Sequence, residues 1–407
     1  MKKILYSVVV ISLIISLATL IIAYGRGYRL NPLEKSINST GILSASSNPD
    51  AASVWIDNKL KSATNGSISL EPGWYNLRIS KEGYQQWEKR IRIQGEVVNR
   101  IDALLIANNP SLRALTVTGV SSPSLSPSGG RVAYILPKEE ATTGASVKPK
   151  VGVWLFELRN GPLGGIGDPK AIYQPLEKID WPNTRILWSP DEKNIILVTQ
   201  AKVGKVDKTI LVVEISLDSP NSPAINVTST FDDILSQWKE EKDQKLSVSL
   251  APLPMELSSF LKNNTSDIEF SADNSKILYL ATASATLSVV LSPPVIGTNS
   301  TDEARIIDPR QYYVYDLKED KNFKIADQKS LKDASKPFWY TDSKRIIMIE
   351  NISITIIDYD GTNKRTIYSG PFEDNIVYPW SSQGKLVILT NLNKPKALPD
   401  LYEVDIR

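Results

Sequence analysis

An all-β chain of two soluble modules is what this sequence predicts, and three observations predict it. From 41 to 107 apolar residues recur at every second position, the period of a half-buried strand. Beyond 112 a short unit recurs five times: a large apolar residue, a polar turn, then a run of Ile, Val, Leu and Tyr. Clusters of Pro, Gly, Asn and Asp punctuate both regions, as strand-to-strand turns require. The resulting division is 1–25 membrane anchor, 26–40 linker, 41–107 small sandwich and 112–407 repeat module.

Composition narrows the chemistry. At 407 residues the chain exceeds one ordinary core. Its 47 basic and 45 acidic side chains leave a net charge of +2, so no overall field recruits nucleic acid, and none is expected as a partner. There is no cysteine and no histidine. Thiolate nucleophiles, disulfides, Cys/His zinc sites and Ser-His-Asp arrangements are therefore excluded. No cofactor, metal or catalytic residue is expected.

After Met1, Lys2 and Lys3, the run ILYSVVVISLIISLATLIIAY at 4–24 carries no charge. As a helix it spans roughly 30 Å, one hydrocarbon core. A cleaved signal peptide has a shorter apolar region and a small-x-small site. The expectation is a transmembrane helix holding a single-pass protein. Lys2 and Lys3 face Arg26, Arg29 and Lys35 across it, so charge does not orient it.

In the first module SVWID alternates Val54 and Ile56 against Ser53, Trp55 and Asp57. WYNLRIS alternates Tyr75, Leu77 and Ile79 against Trp74, Asn76 and Arg78. Ser47-Asn48-Pro49, the strand Val54–Asp57, the turn Pro72–Tyr75 and the ending Lys81–Tyr84 together resemble the PEGA domain. The family's usual Asp-Gly turn is Asp57-Asn58 here, and Asn tolerates the same left-handed backbone. The resemblance implies a non-catalytic β-sandwich of a cell-envelope protein, with its body outside the cytoplasm. Trp55 and Trp74 fall on the polar face, where a partner or glycan, a neighbouring strand or the next domain would cover them.

The repeats are LSPSGGRVAYIL at 125, WSPDEKNIILVT at 188, FSADNSKILYLA at 270, WYTDSKRIIMIE at 339 and WSSQGKLVILT at 380. Aligned on their first residues, they place Gly129, Glu192, Asn274, Ser343 and Gly384 where a tight hairpin asks for positive φ. Glu192 and Ser343 suit that place poorly. Such units bury a face only by stacking on one another. They resemble the TolB-type, WD40-like β-propeller over 112–407. Third and fourth strands follow most hairpins, and the last blade lacks an outer strand that ALTVTG at 114–119 can supply, closing the ring. The family commonly has six blades; at ~45 residues each, five need about 225. Five blades are favoured and six remain possible.

In an up-and-down blade the A–B and C–D turns share one face, while B–C and D–A connections share the other. The long segments 137–150, 229–265 and 281–310 then emerge opposite the repeated turns, and loops of that length are uncommon unless they bind something or are disordered. Within 229–265, Phe231, Ile234, Leu235 and Trp238 have helical spacing, which reads as short helices packed on the disc or as a partner-binding flap. Glu139, Glu140, Asp302, Glu303 and Asp308 sit in the loops. Candidate partner-binding residues are Trp55, Trp74, Trp238, Glu139, Asp302, Glu303 and Asp308. The expected function is a non-catalytic, membrane-tethered envelope protein whose propeller face binds a protein or cell-wall polysaccharide. The alternative is a glycosidase-like enzyme using carboxylates on that face.

Overall fold

The computed structural model describes residues 2–25, 28–31, 36–137, 150–158, 167–175, 179–203, 206–218, 223–380, 384–392 and 398–407. Helix α1 runs Lys2–Gly25, and Tyr28–Asn31 then pairs with Ser36–Ser39. The transmembrane helix expected at 4–24, and with it the single-pass membrane localisation, is corrected. Among the described residues no helix is long and apolar enough to cross a membrane.

Two sheets form the first module. One has Gly41–Asn48 at its centre, antiparallel to Gly66–Leu70 and parallel to Val98–Leu104; the other runs Lys59–Ala63, Ser53–Ile56, Gly73–Ser80, Trp87–Ile93. The alternation in the sequence decides what is inside: Val54, Ile56, Leu77 and Ile79 join Leu43, Ile91 and Leu105 in one core. Asp57 and Asn58 both adopt positive φ, 46° and 63°, as a two-residue hairpin of this hand requires.

Beyond it the described residues form five four-stranded antiparallel sheets. Blade one is Ser121–Leu125, Arg131–Leu136, Gly152–Glu157, Lys170–Tyr173; blade two is Thr184–Trp188, Asn194–Val203, Val206–Ser216, Ile225–Asn226. Blade three is Thr265–Phe270, Lys276–Ala281, Gln311–Asp316, Lys321–Asp327; blade four is Phe338–Trp339, Arg345–Glu350, Ser353–Asp358, Arg365–Ser369. Blade five is Val377–Pro379, Lys385–Thr390, Asp400–Asp405, completed from the front of the module by Ser111–Ala114. The closing strand thus lies slightly before the expected 114–119. Leu115 and Thr116 still donate to Leu401 O, and Glu403 is held by both Arg113 and Lys385.

The second strand of each blade is buried on both faces, and its alternation sets the order of the ring. Val132 and Tyr134 pack towards blade five, Ala133 and Ile135 towards blade two. Leu278 and Leu280 meet Ile346 and Met348 of blade four, whose Ile347 and Ile349 meet Leu386 and Ile388 of blade five. Blades two and three break the rule. Ile196 and Val198 of blade two pack on Phe231, Ile234 and Trp238 of α2 (Phe231–Leu250), while Ile277 and Tyr279 of blade three pack on Leu250, Leu257 and Leu261 of α2 and α3 (Met255–Asn264). A helical wedge fills the sector that a sixth blade would occupy. Lys245 Nζ donates to Pro190 O in the first turn of blade two, so α2 runs the height of the ring instead of lying on its far face.

All five turn positions singled out by alignment have positive φ: Gly129 72°, Glu192 61°, Asn274 54°, Ser343 58°, Gly384 91°. The two unsuited residues use their side chains to reach the preceding blade. Glu192 accepts from Ser128 N–H and Arg131, and Ser343 Oγ accepts from Asp273 N–H at 3.1 Å. The fifth copy is displaced by one residue: Trp380 N–H donates to Lys385 O, the bond made elsewhere by Ser126, Ser189, Ser271 and Tyr340. Trp380 therefore turns inward, wholly buried, edge-on to Phe156 at 6.1 Å.

Two outcomes test this architecture. Leu261→Ala should lower stability by roughly 2–5 kcal/mol in urea unfolding, because a buried wedge contact leaves a cavity between two sheets. Deleting 111–114 should expose the edge of blade five and increase aggregation over that of the intact chain, read by size-exclusion chromatography with light scattering.

Candidate functional site

The longest connection of blade three explains where the site lies. After Ala281 the chain leaves on the B–C side, as topology demands, but its length lets it return. Ala285–Thr286 pairs with Ile306–Ile307, and Ala304 N–H donates to Asn322 O on the outer strand. The tip then crosses to the opposite end of the blade, where Val290 and Leu291 N–H both donate to Asp320 and Arg305 pairs with the same carboxylate at 3.0 Å. The expectation that 281–310 lies opposite the repeated turns is thereby corrected. A connection's exit fixes its base, whereas a loop longer than a strand can place its tip on either face.

That tip meets the sandwich. Gly297 N–H donates to Gln94 Oε1 at 3.0 Å, and Arg92 N–H to Ser300 Oγ at 3.3 Å. Beside it, the turns of blade four receive strand Trp87–Ile93. Trp87 Nε1 donates to Asp358 at 2.9 Å, Lys89 pairs with Asp360, Glu88 N–H donates to Asn363 at 2.9 Å, and Arg365 donates to Gln86 O at 2.8 Å. Lys344 pairs with Asp102, and Arg345 donates to Asp102 O while also holding Asp342 and Asp358. Leu104 and Ile106, leaving the sandwich, enter the core between blades four and five. Ala107 N–H bonds Ile406 O at 2.9 Å.

Between these contacts lies a cavity of about 540 Å³. Its floor is buried and charged: Lys276 lies 3.6 Å from Asp316 and over the Tyr359 ring. Asn299 bridges two carboxylates, with its N–H on Glu319 at 2.8 Å and its Nδ2 on Asp360 at 2.7 Å. Burial alone would push the Asp360 carboxyl up, but the Lys89 ammonium, the bond it makes and those from Thr362 and Asn299 outweigh burial and hold it down at about 2. Burial pushes Glu319 up, and pushes Asp358 up against the pull of Arg345. Burial would lower Arg345, yet the carboxylates of Asp358 and Asp342 raise it further.

The candidate residues named from sequence are not brought together. Trp55 and Trp74 share the outer face of the sandwich, each beneath a guanidinium, Arg78 and Arg90, at 4.9 Å; a neighbouring strand covers Trp55, and Trp74 stays half exposed. Trp238 is part of the wedge. Asp302 and Glu303 are exposed on the returning loop, Glu303 against Arg305 at 2.7 Å. Asp308 lies near the base of that loop, its N–H donated to the Tyr313 hydroxyl. Glu139, Glu140 and the segment 138–149 lie outside the described residues. Missed were Lys89, Asp102, Lys344, Arg345, Asp358 and Asp360. Their signal was complementarity: the basic strand WEKRIRI at 87–93 faces the acidic turns DLKED at 316–320 and DYDG at 358–361.

Residues 40–106 match the PEGA domain. The PEGA sandwich is thus the part seated on blade four. No curated protein matches the chain. Solved TolB structures are among its structural neighbours. The putative TolB from Agrobacterium tumefaciens is 14% identical, over 78% of this chain and 89% of that one, with a TM-score of 0.20. TolB from Acinetobacter baumannii is 12% identical, over 81% of this chain and 59% of that one, also at 0.20, so this chain spans about three fifths of it. An oligogalacturonate lyase from Vibrio parahaemolyticus is 7% identical, over 82% and 75%, at 0.23. The five sheets themselves, rather than these distant likenesses, define the propeller.

The depressed Asp360 carboxyl gives the joint a pH dependence. A group whose value is lowered by folding stabilises above its unfolded value, near 4, and loses that contribution as pH falls through the folded one, about 2. Lys89→Met should move that loss to higher pH, read from the Trp87 indole N–H resonance in an acid titration. An unchanged profile would show that the Lys89 pair carries no weight in the joint.

Proposed function

We propose that this chain is a non-catalytic cell-envelope protein that binds a protein partner through the tip of the 281–310 loop. The observation that carries this reading is the loop itself. It is braced at Asp320, Glu319, Asp360 and Gln94, yet Val289, Val295 and Ile296 stand 64%, 46% and 75% exposed. Val98 of the PEGA module, half exposed, follows Val97, which touches Gly297. An apolar surface fixed in place, and rimmed by polar residues, is what a protein interface needs: its ordering cost is met before the partner arrives.

The PEGA match and the TolB-type neighbours support the envelope setting. The absence of histidine and cysteine supports a binding role, as does the use made of the carboxylates. Asp360 is taken by Lys89, Thr362, Thr301 and Asn299, and Asp358 by Arg345, Trp87 and Asn363. One observation favours the enzymatic alternative. Glu319 and Asp360 are bridged by one asparagine and displaced in opposite directions, as an acid and a base are. Those ties leave Asp360 little freedom to act as base or nucleophile.

Ile296→Asp with Val289→Asp should abolish retention of an envelope protein on the immobilised chain while leaving Tm within a degree or two, since both side chains are exposed. Asp191→Ala should do the opposite. It removes the acceptor of Ser189 Oγ and Lys193 N–H, lowering stability by roughly 0.5–2 kcal/mol with binding intact. Equal retention by the double variant would refute the proposal.

A further inference from the structure

The joint holds more than its own fastenings. Its cavity, about 540 Å³, lies within the ~300–1,000 Å³ range of small-molecule sites. Most lining charges are spoken for: Lys89 with Asp360, Lys276 with Asp316, Lys344 with Asp102, Arg345 with Asp342 and Asp358. What is left over has a definite chemistry. Among the described residues Arg100 and Lys318, both exposed at the mouth, form no ion pair. Asn99 is among the lining residues, and its Nδ2 is buried without an acceptor. An orphaned buried donor is costly, and rare unless something meets it. Glu319 accepts one hydrogen bond, from Asn299, and has a second oxygen to offer. Ser44, Ser46 and Ser300 add hydroxyls to the wall.

We infer that this cavity is a binding site for a small polyhydroxylated carboxylate, a sugar acid, which enters between the PEGA module and blades three and four. Arg100 and Lys318 meet its carboxylate at the mouth, and Asn99 donates to a ring or hydroxyl oxygen inside. Glu319 accepts from a hydroxyl. A simple carboxylate would satisfy only the mouth and a neutral sugar only the interior. Because both modules supply ligand contacts, occupancy tightens the joint.

The test is calorimetry on the full chain with three probes: D-glucuronate, D-glucose and acetate. The expected result is saturable glucuronate binding with a raised Tm, at least tenfold weaker binding of glucose, and none of acetate. Arg100→Ala with Lys318→Ala should weaken glucuronate at least tenfold while leaving the Tm of the free chain unchanged. Asn99→Leu should do likewise, and Ile296→Asp should leave glucuronate binding intact, so this site and the protein interface fail separately. No saturable glucuronate binding, equal affinity for glucose, or equal affinity in the native chain and the Arg100/Lys318 variant overturns the inference.

Discussion

Every blade of this ring is apolar on both faces, so each must be covered on both sides or expose a continuous hydrophobic sheet. The alternation Arg345-Ile346-Ile347-Met348-Ile349 sends successive side chains to opposite neighbours, and the same holds in each of the other second strands. Closure follows from that constraint. Where a neighbouring sheet is lacking, between blades two and three, the chain inserts α2 and α3 and covers Ile196 and Val198 on one side, Ile277 and Tyr279 on the other. Where a strand is lacking, Ser111–Ala114 returns to the last one. A single layer of helix is about as thick as the spacing of packed sheets, ~10 Å, so helices can stand in for a blade.

With the ring closed, blade four presents two acidic turns at one end, and the PEGA module presents a basic strand. Their contact sets a buried charged centre, Lys89 with Asp360 and Arg345 with Asp358, inside exposed bonds such as Lys344 with Asp102. Removing one member of a buried pair strands the other, at a cost of ~3–5 kcal/mol, whereas the intact pair adds little over an apolar contact. The joint therefore gains position from its charges and cohesion from Leu104 and Ile106, which enter the core between blades four and five.

Much of this was legible from the residues. The alternation of Val54 and Ile56, the five turns, and the strands behind them follow from local periodicity, which side-chain burial enforces. Less legible was anything set by neighbours. Glu192 and Ser343 look wrong for positive φ until the preceding blade is seen to use their side chains. Trp380 aligns with Trp188 by type, but backbone bonding places it one residue later. The spacing of Phe231, Ile234 and Trp238 identifies a helix, yet only the missing sector says where it must go. The 281–310 loop shows the limit of topology: its base lies where strand direction puts it, and its tip lies where Asp320 and Asn299 find partners. The apolar run at 4–24 forms a helix as expected, while the anchor inferred from it does not follow.

The joint was the least legible part, because its members are scattered from Gln86 to Ile406 and its charged ones each resemble ordinary surface charge alone. An apolar tongue such as Leu104 and Ile106 could settle in a crevice at more than one depth. Asp358 tolerates one seat, in which Arg345 and the Trp87 indole reach the same carboxylate from two modules. Asp360 tolerates the same seat, and it brings Asn299, and with it the returning loop, into register. Three pieces of chain are thus fixed by two neighbouring carboxylates on one turn. The exposed tip at 289–296 inherits its position from that turn, so the surface offered to a partner is set by charges buried well behind it.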